Sequence, residues 1–555
     1  MSVKKITAPA GFTPLNAKAS RSPAGNLTGF TLIEILVVIV IIGILATLAI
    51  ISVQSVRSRA KDARRISDIK QIRTALELYL NRVGSYPDNI TIGTPLQADN
   101  DTLMVKIPAN PDIAPYGDLC DGSNYSYSKI GSSYQIQWCL GSAAAGIAAG
   151  DCIATPDTMC SPLVISNFGT GSDGGPYTIS SPTDLATADL NNDGCADGKI
   201  FTVTGLTVNS ATVSPAPGPC LKNRDEILII NLQGTSTDYS YVGNYESILV
   251  QSVSNNIITF KTNLTKLYGN PNTQKIIIQR VPQYTDLTVN SSLSASAWNG
   301  SAGGFLAFRV SGTLNGSGII SMFAGGYNGG YDNWKVINCD YTQAGEGTWG
   351  RPARNAWGTS ANGNGGGAGR SAYPYQYAYG SGGGGGGNAA GAVAGISGGG
   401  CPGGNPGGSA GSQTGLTDLS QLFMGGGGGG GGADDGGAAG DCGGQGGGII
   451  MVGASAISGS LTIKANGEDA RVHCQGSCNG GGGGAGGSIK IYANTVTASV
   501  INATYGNGSP AVVPSDCRGG GNGAPGRIAI YTCNGTYNVS SVSPVNPYTA
   551  SGICN

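Results

Sequence analysis

From Leu32 to Ile51 the chain runs for about 20 residues with a single charge, Glu34. At roughly 1.5 Å per helical residue, that is long enough to cross a bilayer once. Such a run constrains the rest of the chain, because the residues before it and those after it must lie on opposite sides of a membrane. Residues 1–29 carry Lys4, Lys5, Lys18 and Arg21 and no acid, so the positive-inside tendency keeps them cytoplasmic. They do not read as an ordinary secretory signal, since the apolar run comes after the would-be cleavage site. Glu34 is the anomaly: a lone carboxylate in hydrocarbon costs about 3 kcal/mol or more.

The stretch GFTLIEILVVIVIIGILATLAI, Gly29 to Ile50, resembles the prepilin motif of type IV pilins and type II secretion pseudopilins. The resemblance implies that a prepilin peptidase cuts after Gly29 and that the exposed Phe30 is N-methylated. It also offers Glu34 a partner, the new α-amine of a neighbouring subunit. An unpaired charge in an apolar setting is penalised, so pairing would set the axial register of a filament. The plainer alternative is a signal anchor whose Glu34 snorkels to the headgroups. Two departures stand out: the leader is longer than is typical, and Ile51 stands where many pilins carry a helix-breaking proline.

Beyond the membrane run, Ile66, Ile69, Ile72, Leu76, Tyr79 and Val83 recur at helical spacing until Gly84 and Pro87 end the pattern. This predicts an amphipathic extension whose apolar stripe packs on a globular head. Residues 85–165 read as that head, with one alternating strand at SSYQIQWCL. None of the 14 cysteines precedes Cys120, which fits disulfides in an oxidising compartment. Cys120–Cys139 and Cys152–Cys160 are pairings suggested by proximity alone; connectivity is not readable from spacing. Zinc is disfavoured, because no CxxC pair occurs and His473 is the single histidine.

Residues 166–290 carry short β-branched runs such as DEILIINLQG and QKIIIQRV, bounded by turn residues. Ahead of them, DLNNDGCADG sets Asp189, Asn191, Asp193 and Asp197 in alternation around a turn glycine. Short oxygen ligands at that spacing, with the Cys195 carbonyl, suit a calcium shell. The loop resembles those of dockerin-like and repeat adhesin modules, although Ile200 stands where an EF-hand has glutamate. An Asx-rich turn without metal is the bland alternative.

Most of the 96 glycines lie after Gly300. Segments beginning at Gly303, Gly447, Gly486 and Pro525 repeat a plan of glycine, alternating apolar strand and turn. The first three add a second strand and a glycine exit. Each unit could bury its apolar face only against its neighbours, the signature of stacked solenoid coils, best read as a right-handed parallel β-helix. Between coils, tracts such as Gly382–Gly387 and Gly425–Gly432 could be loose loops or extended chains packed backbone to backbone. Compositionally this half resembles large glycine-rich β-helical surface proteins of bacteria.

One insert is rich in aromatics and arginine. Trp334, Trp349, Arg351, Trp357 and the alternating Tyr373, Tyr375, Tyr377 and Tyr379 are residue types that build interaction surfaces or stack on sugars. They could equally cover the solenoid. No catalytic set is apparent: His473 has no serine signature nearby, and no glycine tract carries the phosphate-loop lysine. With a net charge of −1, no basic field points to nucleic acid.

The expectation is an α+β chain with six parts. These are a leader (1–29), a transmembrane and filament-core helix (30–56), its amphipathic extension (57–84), a small disulfide-containing β head (85–165), a β-rich domain with a calcium loop (166–290) and a glycine-rich solenoid (291–555). The expected function is non-enzymatic: a minor or tip subunit of a pilus-like filament displaying an adhesive β domain. Its expected partners are prepilin peptidase, other pilin subunits, the inner membrane and a glycan or cell-surface receptor. It would sit in the cytoplasmic membrane as a prepilin and then move to an extracellular filament. A type II secretion pseudopilin and a surface-anchored glycan-degrading β-helix enzyme are the alternatives.

Overall fold

A computed structural model describes residues 32–99, 101–111, 125–130, 133–141, 144–145, 147, 150–162, 166–330, 342–350, 361–371, 381–399, 405–433, 440–471, 479–510, 518–533 and 537–551. Within 32–60 it describes few side chains. The chain divides into two compact units, Met1–Pro162 and Leu163–Asn555. Among the described residues there is one α-helix, and the chain is mostly β rather than evenly α+β.

In the first unit the helix runs Leu32–Val83. Gly84 ends it in the left-handed region, at φ 80°, its amide bonded to the Leu80 carbonyl at 2.8 Å. Among the described residues no helix is long and apolar enough to cross a membrane; the side chains of this helix's apolar half lie mostly outside them. Ile66, Ile69, Ile72 and Leu76 bury against Tyr134, Ile136 and Trp138. Val83, expected on the same stripe, is instead 45% exposed, because the packing ends with the last turn. The strands Ser126–Ile130, Ser133–Leu140, Gly150–Ala154 and Ser161–Pro162 form an antiparallel sheet in that order. Cys152 and Cys160 are joined, as their proximity suggested. Cys139 is also disulfide-bonded; Cys120 lies outside the described residues.

The second unit holds a closed antiparallel barrel of six strands between Ile200 and Arg280. Its interior is filled by Phe201, Val203, Ile227, Ile229, Ile258 and Ile278 among others. The strands Tyr177–Ile179 and Thr183–Asp184, although earlier in sequence, join the solenoid and not the barrel. The solenoid's strands pair in parallel and in register. Phe305 stands beside Ile449, Ile449 beside Ser488, and Ser488 beside Arg527. Those four strands begin within a few residues of the four repeat starts. Stacking in register makes side-chain ladders: Leu306, Ile450, Ile489 and Ile528 in one, Phe308, Val452, Ile491 and Ile530 in the next, all inside the coil. The opposite face of the same sheet, with Phe305, Ala307, Ile449 and Met451, packs on Leu228, Ile230 and Ile277 of the barrel.

Successive coils leave and re-enter the solenoid at one corner. Residues 322–448, 465–487 and 503–526 all depart after aligned strand ends and return to aligned strand starts. These loops hold the glycine tracts, and the tracts are ordered backbone to backbone. Along Gly425–Gly432 the amides of Gly425, Gly428 and Gly431 donate to the carbonyls of Gly447, Gly444 and Asp441. Those of Gly426, Gly429 and Gly432 donate to Gly387, Gly384 and Ser381, and those of Gly427 and Gly430 to Glu346 and Gln343. The carbonyls of the same tract accept from three further segments, at Tyr327 and Gly330, Gly366 and Gly369, and Gly482 and Ala485.

A partner that recurs every third residue means three residues per turn. None of these glycines has positive φ, so each tract matches a left-handed polyproline-II-type helix. Such a helix has no internal hydrogen bonds, so its neighbours must satisfy every amide and carbonyl. At every position of Gly425–Gly432 except Gly430, glycine is required because a Cβ would meet neighbouring backbone within 2.3 Å. A Cβ on Gly429 would stand 1.9 Å from the Gly367 carbonyl oxygen, and one on Gly428 would stand 2.0 Å from that of Gly482.

Candidate functional site

One cleft in the second unit combines aromatic walls with a neutral polar rim. Thr348 and Trp349 occupy the middle of a turn closed by reciprocal Gly347–Gly350 backbone bonds of 3.0 and 3.3 Å. Glu346, buried, anchors that turn: it accepts from Gln233 Nε2 at 3.0 Å and from Asn328 Nδ2 at 2.7 Å. The Gly234 amide, bonded to the Thr348 carbonyl at 2.9 Å, ties the turn to the barrel loop that carries Tyr239. The Tyr239 and Trp349 rings lie 5.3 Å apart, tilted at 49°, and make an open V rather than a flat stack. Phe423 lies beside them. Its ring is held between two glycines: a Cβ on Gly243 would come within 2.6 Å of it, and one on Gly415 within 2.8 Å.

The open cleft holds about 270 Å³, and Ser240, Thr348, Ser412, Gln413, Thr414 and Gln421 supply its polar lining. Gln421 Nε2 donates to Asn244 Oδ1 at 3.0 Å. The side chains of Ser240, Ser412 and Gln413 bond to no other described residue. Among the described residues no acid, lysine, arginine or histidine lines the cleft. Arg527 is directed at the chain on one side of it, donating to the Thr414 and Gly415 carbonyls at 3.1 and 3.0 Å. The arrangement can stack an apolar face and hydrogen-bond a rim of neutral polar groups.

The acidic loop is a second candidate. Asp189 accepts from the amides of Asp193 at 3.1 Å and Gly194 at 2.8 Å. Asn191 accepts from Asp193, and Asp193 from Cys195, each at 3.1 Å. Asp197 faces inward, 1% exposed, and accepts from the Tyr284 hydroxyl at 2.6 Å. Burial pushes its carboxyl up to about 6, against the lowering effect of that hydrogen bond. Among the described residues no three His, Cys, Asp or Glu side chains gather on a metal-sized site. Cys195, singled out for its carbonyl, is disulfide-bonded to Cys220, a pairing that spacing did not suggest.

Of the aromatic and arginine set chosen from sequence, Trp349 lies in the cleft. Trp334, Arg351, Trp357, Tyr373, Tyr375, Tyr377 and Tyr379 lie outside the described residues, as do Gly29, Phe30 and the side chain of Glu34. Tyr239, Gln413 and Phe423 were not singled out. Each is an isolated residue in an ordinary segment, and only folding brings them together.

Residues 28–50 match the family model described as the prokaryotic N-terminal methylation motif. No curated protein matches the chain. Among solved structures it is similar to the Gp54 tailspike of Acinetobacter baumannii bacteriophage AP22 in complex with A. baumannii capsular saccharide, at 11% identity over 66% of this chain and 63% of that one, with a TM-score of 0.15. It is also similar to the tailspike protein gp49 from Pseudomonas phage LKA1, at 9% identity over 63% and 55%, with a TM-score of 0.14. The chain thus spans 63% and 55% of the lengths of those chains. Superpositions this poor carry no argument, and the solenoid is assigned from its own strand pairing. The chain carries the methylation motif of prepilins ahead of a parallel β solenoid.

Proposed function

We propose that this chain is a pilin-like subunit, made as a single-pass prepilin with its N-terminus in the cytoplasm and then displayed on an extracellular filament. The observation that carries the reading is the methylation motif at residues 28–50. Prepilin peptidase would cut after Gly29, and Glu34 would pair with the α-amine of a neighbouring Phe30. A solenoid with a glycine bundle on every subunit would crowd a helical filament. We therefore place the chain as a minor or tip subunit whose second unit binds a glycan or another cell-surface receptor. Mass spectrometry of sheared filaments tests this: a peptide beginning at methylated Phe30 should appear in trace amounts relative to other pilins. A dominant amount would overturn the minor-subunit reading. Absence from filaments would favour a secretion pseudopilin.

The binding role is non-enzymatic in this reading. Glycan cleavage by paired carboxylates needs two acids flanking the bond. Calcium is proposed for the acidic loop on spacing alone. Because Asp197 Oδ2 accepts from the Tyr284 hydroxyl, millimolar calcium, the range of extracellular modules, should change tyrosine fluorescence in the wild type and not in Asp189→Ala.

A further inference from the structure

We infer that the cleft between Tyr239, Trp349 and Phe423 is a subsite for one or two residues of an uncharged saccharide. The inference rests on the display function proposed above and adds the ligand class. A pyranose ring has an apolar face of C–H groups and a rim of hydroxyls that both donate and accept. The cleft has the matching parts. The tilted Tyr239 and Trp349 rings, 5.3 Å apart, offer apolar surface together with a phenol hydroxyl and an indole N–H. Phe423, 9% exposed, gives a further apolar patch.

Around them, Gln413, Ser412 and Ser240 carry donors and acceptors with no partner among the described residues. Amide and hydroxyl side chains can each donate and accept, as sugar hydroxyls do. A purely apolar ligand would leave those groups to water, whereas a sugar would use them.

The described lining narrows the class further. Among the described residues a phosphate, sulfate, sialic acid or uronic acid would meet no cationic side chain in the lining, and an unpaired charge is costly to desolvate. The volume, about 270 Å³, falls just below the roughly 300 Å³ where pockets for drug-sized ligands begin. It therefore suits one or two units of a chain and not a whole oligosaccharide. The walls are pre-formed. The backbone at Trp349 is held by the Gly347–Gly350 turn beside buried Glu346, and Phe423 is confined between Gly243 and Gly415. A ligand would meet little ordering cost on entry.

The test uses the full mature chain in a detergent without a sugar headgroup. It is titrated calorimetrically with neutral oligosaccharides of glucose, galactose and N-acetylglucosamine, and with sialyllactose as the charged counterpart of lactose. At least one neutral oligosaccharide should bind. Trp349→Ala should weaken that binding tenfold or more. Gln413→Ala, at an exposed position, should weaken it several-fold with an unchanged melting temperature. Trp349→Phe should restore part of the affinity.

Glycan binding that neither Trp349→Ala nor Gln413→Ala alters would place the saccharide elsewhere and overturn the cleft assignment while leaving the display function intact. Preference for sialyllactose over lactose would overturn the ligand class. Binding of an aromatic peptide with no saccharide binding would overturn the inference as a whole. The display function fails separately, if filaments lack the chain.

Discussion

The solenoid and the glycine bundle are built from the same stretches of chain, alternating coil by coil, yet they are held together by opposite means. Inside the solenoid the ladders of Leu306, Ile450, Ile489 and Ile528 exclude water with side chains. The glycine tracts have no side chains of their own to do this. Gly425–Gly432 is buried mainly by other backbones, and its order comes from amides and carbonyls paired outward in three donor and three acceptor directions, with Thr342 and Asn479 side chains donating to Gly430 and Gly432. The solenoid therefore tolerates exchange among apolar residues of similar volume. The bundle tolerates nothing larger than hydrogen at its crowded positions. The collagen triple helix needs glycine at every third residue for the same reason; here seven of the eight positions Gly425–Gly432 are crowded, Gly430 being the exception.

The comparison can be broken most directly at Gly429. Gly429→Ala should destabilise the second unit by about 4 kcal/mol or more, the exceptional end of single substitutions. Its Cβ would meet backbone at 1.9 Å on a neighbour that cannot shift without losing its own hydrogen bonds. Chemical denaturation measures this, and a loss under about 1 kcal/mol, ordinary for a single substitution, would mean that the bundle is soft. In the solenoid, Ile491→Ala should cost about 3 kcal/mol by leaving a cavity in the second ladder. It should leave hydrogen exchange within the glycine tracts close to that of the wild type.

Titration separates the two regions further, since the tracts themselves hold no ionisable side chains. Asp197, buried against Tyr284, has a carboxyl raised to about 6, above the value of about 3.9 in an unfolded chain. The folded state keeps that proton where the unfolded state has lost it. This group's contribution is therefore fully present below about pH 4 and lost as pH rises through 6, on the order of 2 kcal/mol in all. Asp197→Asn should remove that slope from the unfolding free energy between about pH 4 and 7; an unchanged slope would assign it to other groups. The smallest effect belongs to Gly391. It is exposed, and a Cβ there would meet nothing within 4 Å. Gly391→Ala should change stability by no more than about 0.5 kcal/mol, which makes it the control showing that position, and not glycine content, decides the cost.

Legibility followed the presence of side-chain pattern. The repeat starts at Gly303, Gly447, Gly486 and Pro525 lead into strands that align in parallel, because alternating apolar residues announce a buried face. The run SSYQIQWCL contains strand Ser133–Leu140, whose burial alternates as far as Trp138 before Cys139 and Leu140 are also buried. In Gly425–Gly432 no residue differs from the next, so nothing in the order of letters distinguishes a loose loop from a packed helix. Trp349 could be chosen as a binding residue by type, whereas Tyr239, Gln413 and Phe423 could not. They belong to no motif, and Tyr239 lies far along the chain from the other two.

By itself, then, the amino-acid order determined the methylation motif at residues 28–50 and the strand-forming runs, and it suggested the Cys152–Cys160 link that the structure makes. These depend on composition, period and short separation along the chain. Tertiary structure decided the closure of the barrel, the neighbours of each glycine tract and the Tyr239–Trp349–Phe423 cleft. Each of these depends on which distant backbones meet. A glycine tract offers every neighbour the same amides and carbonyls, so its partners are chosen by the coils that deliver them to one corner of the solenoid.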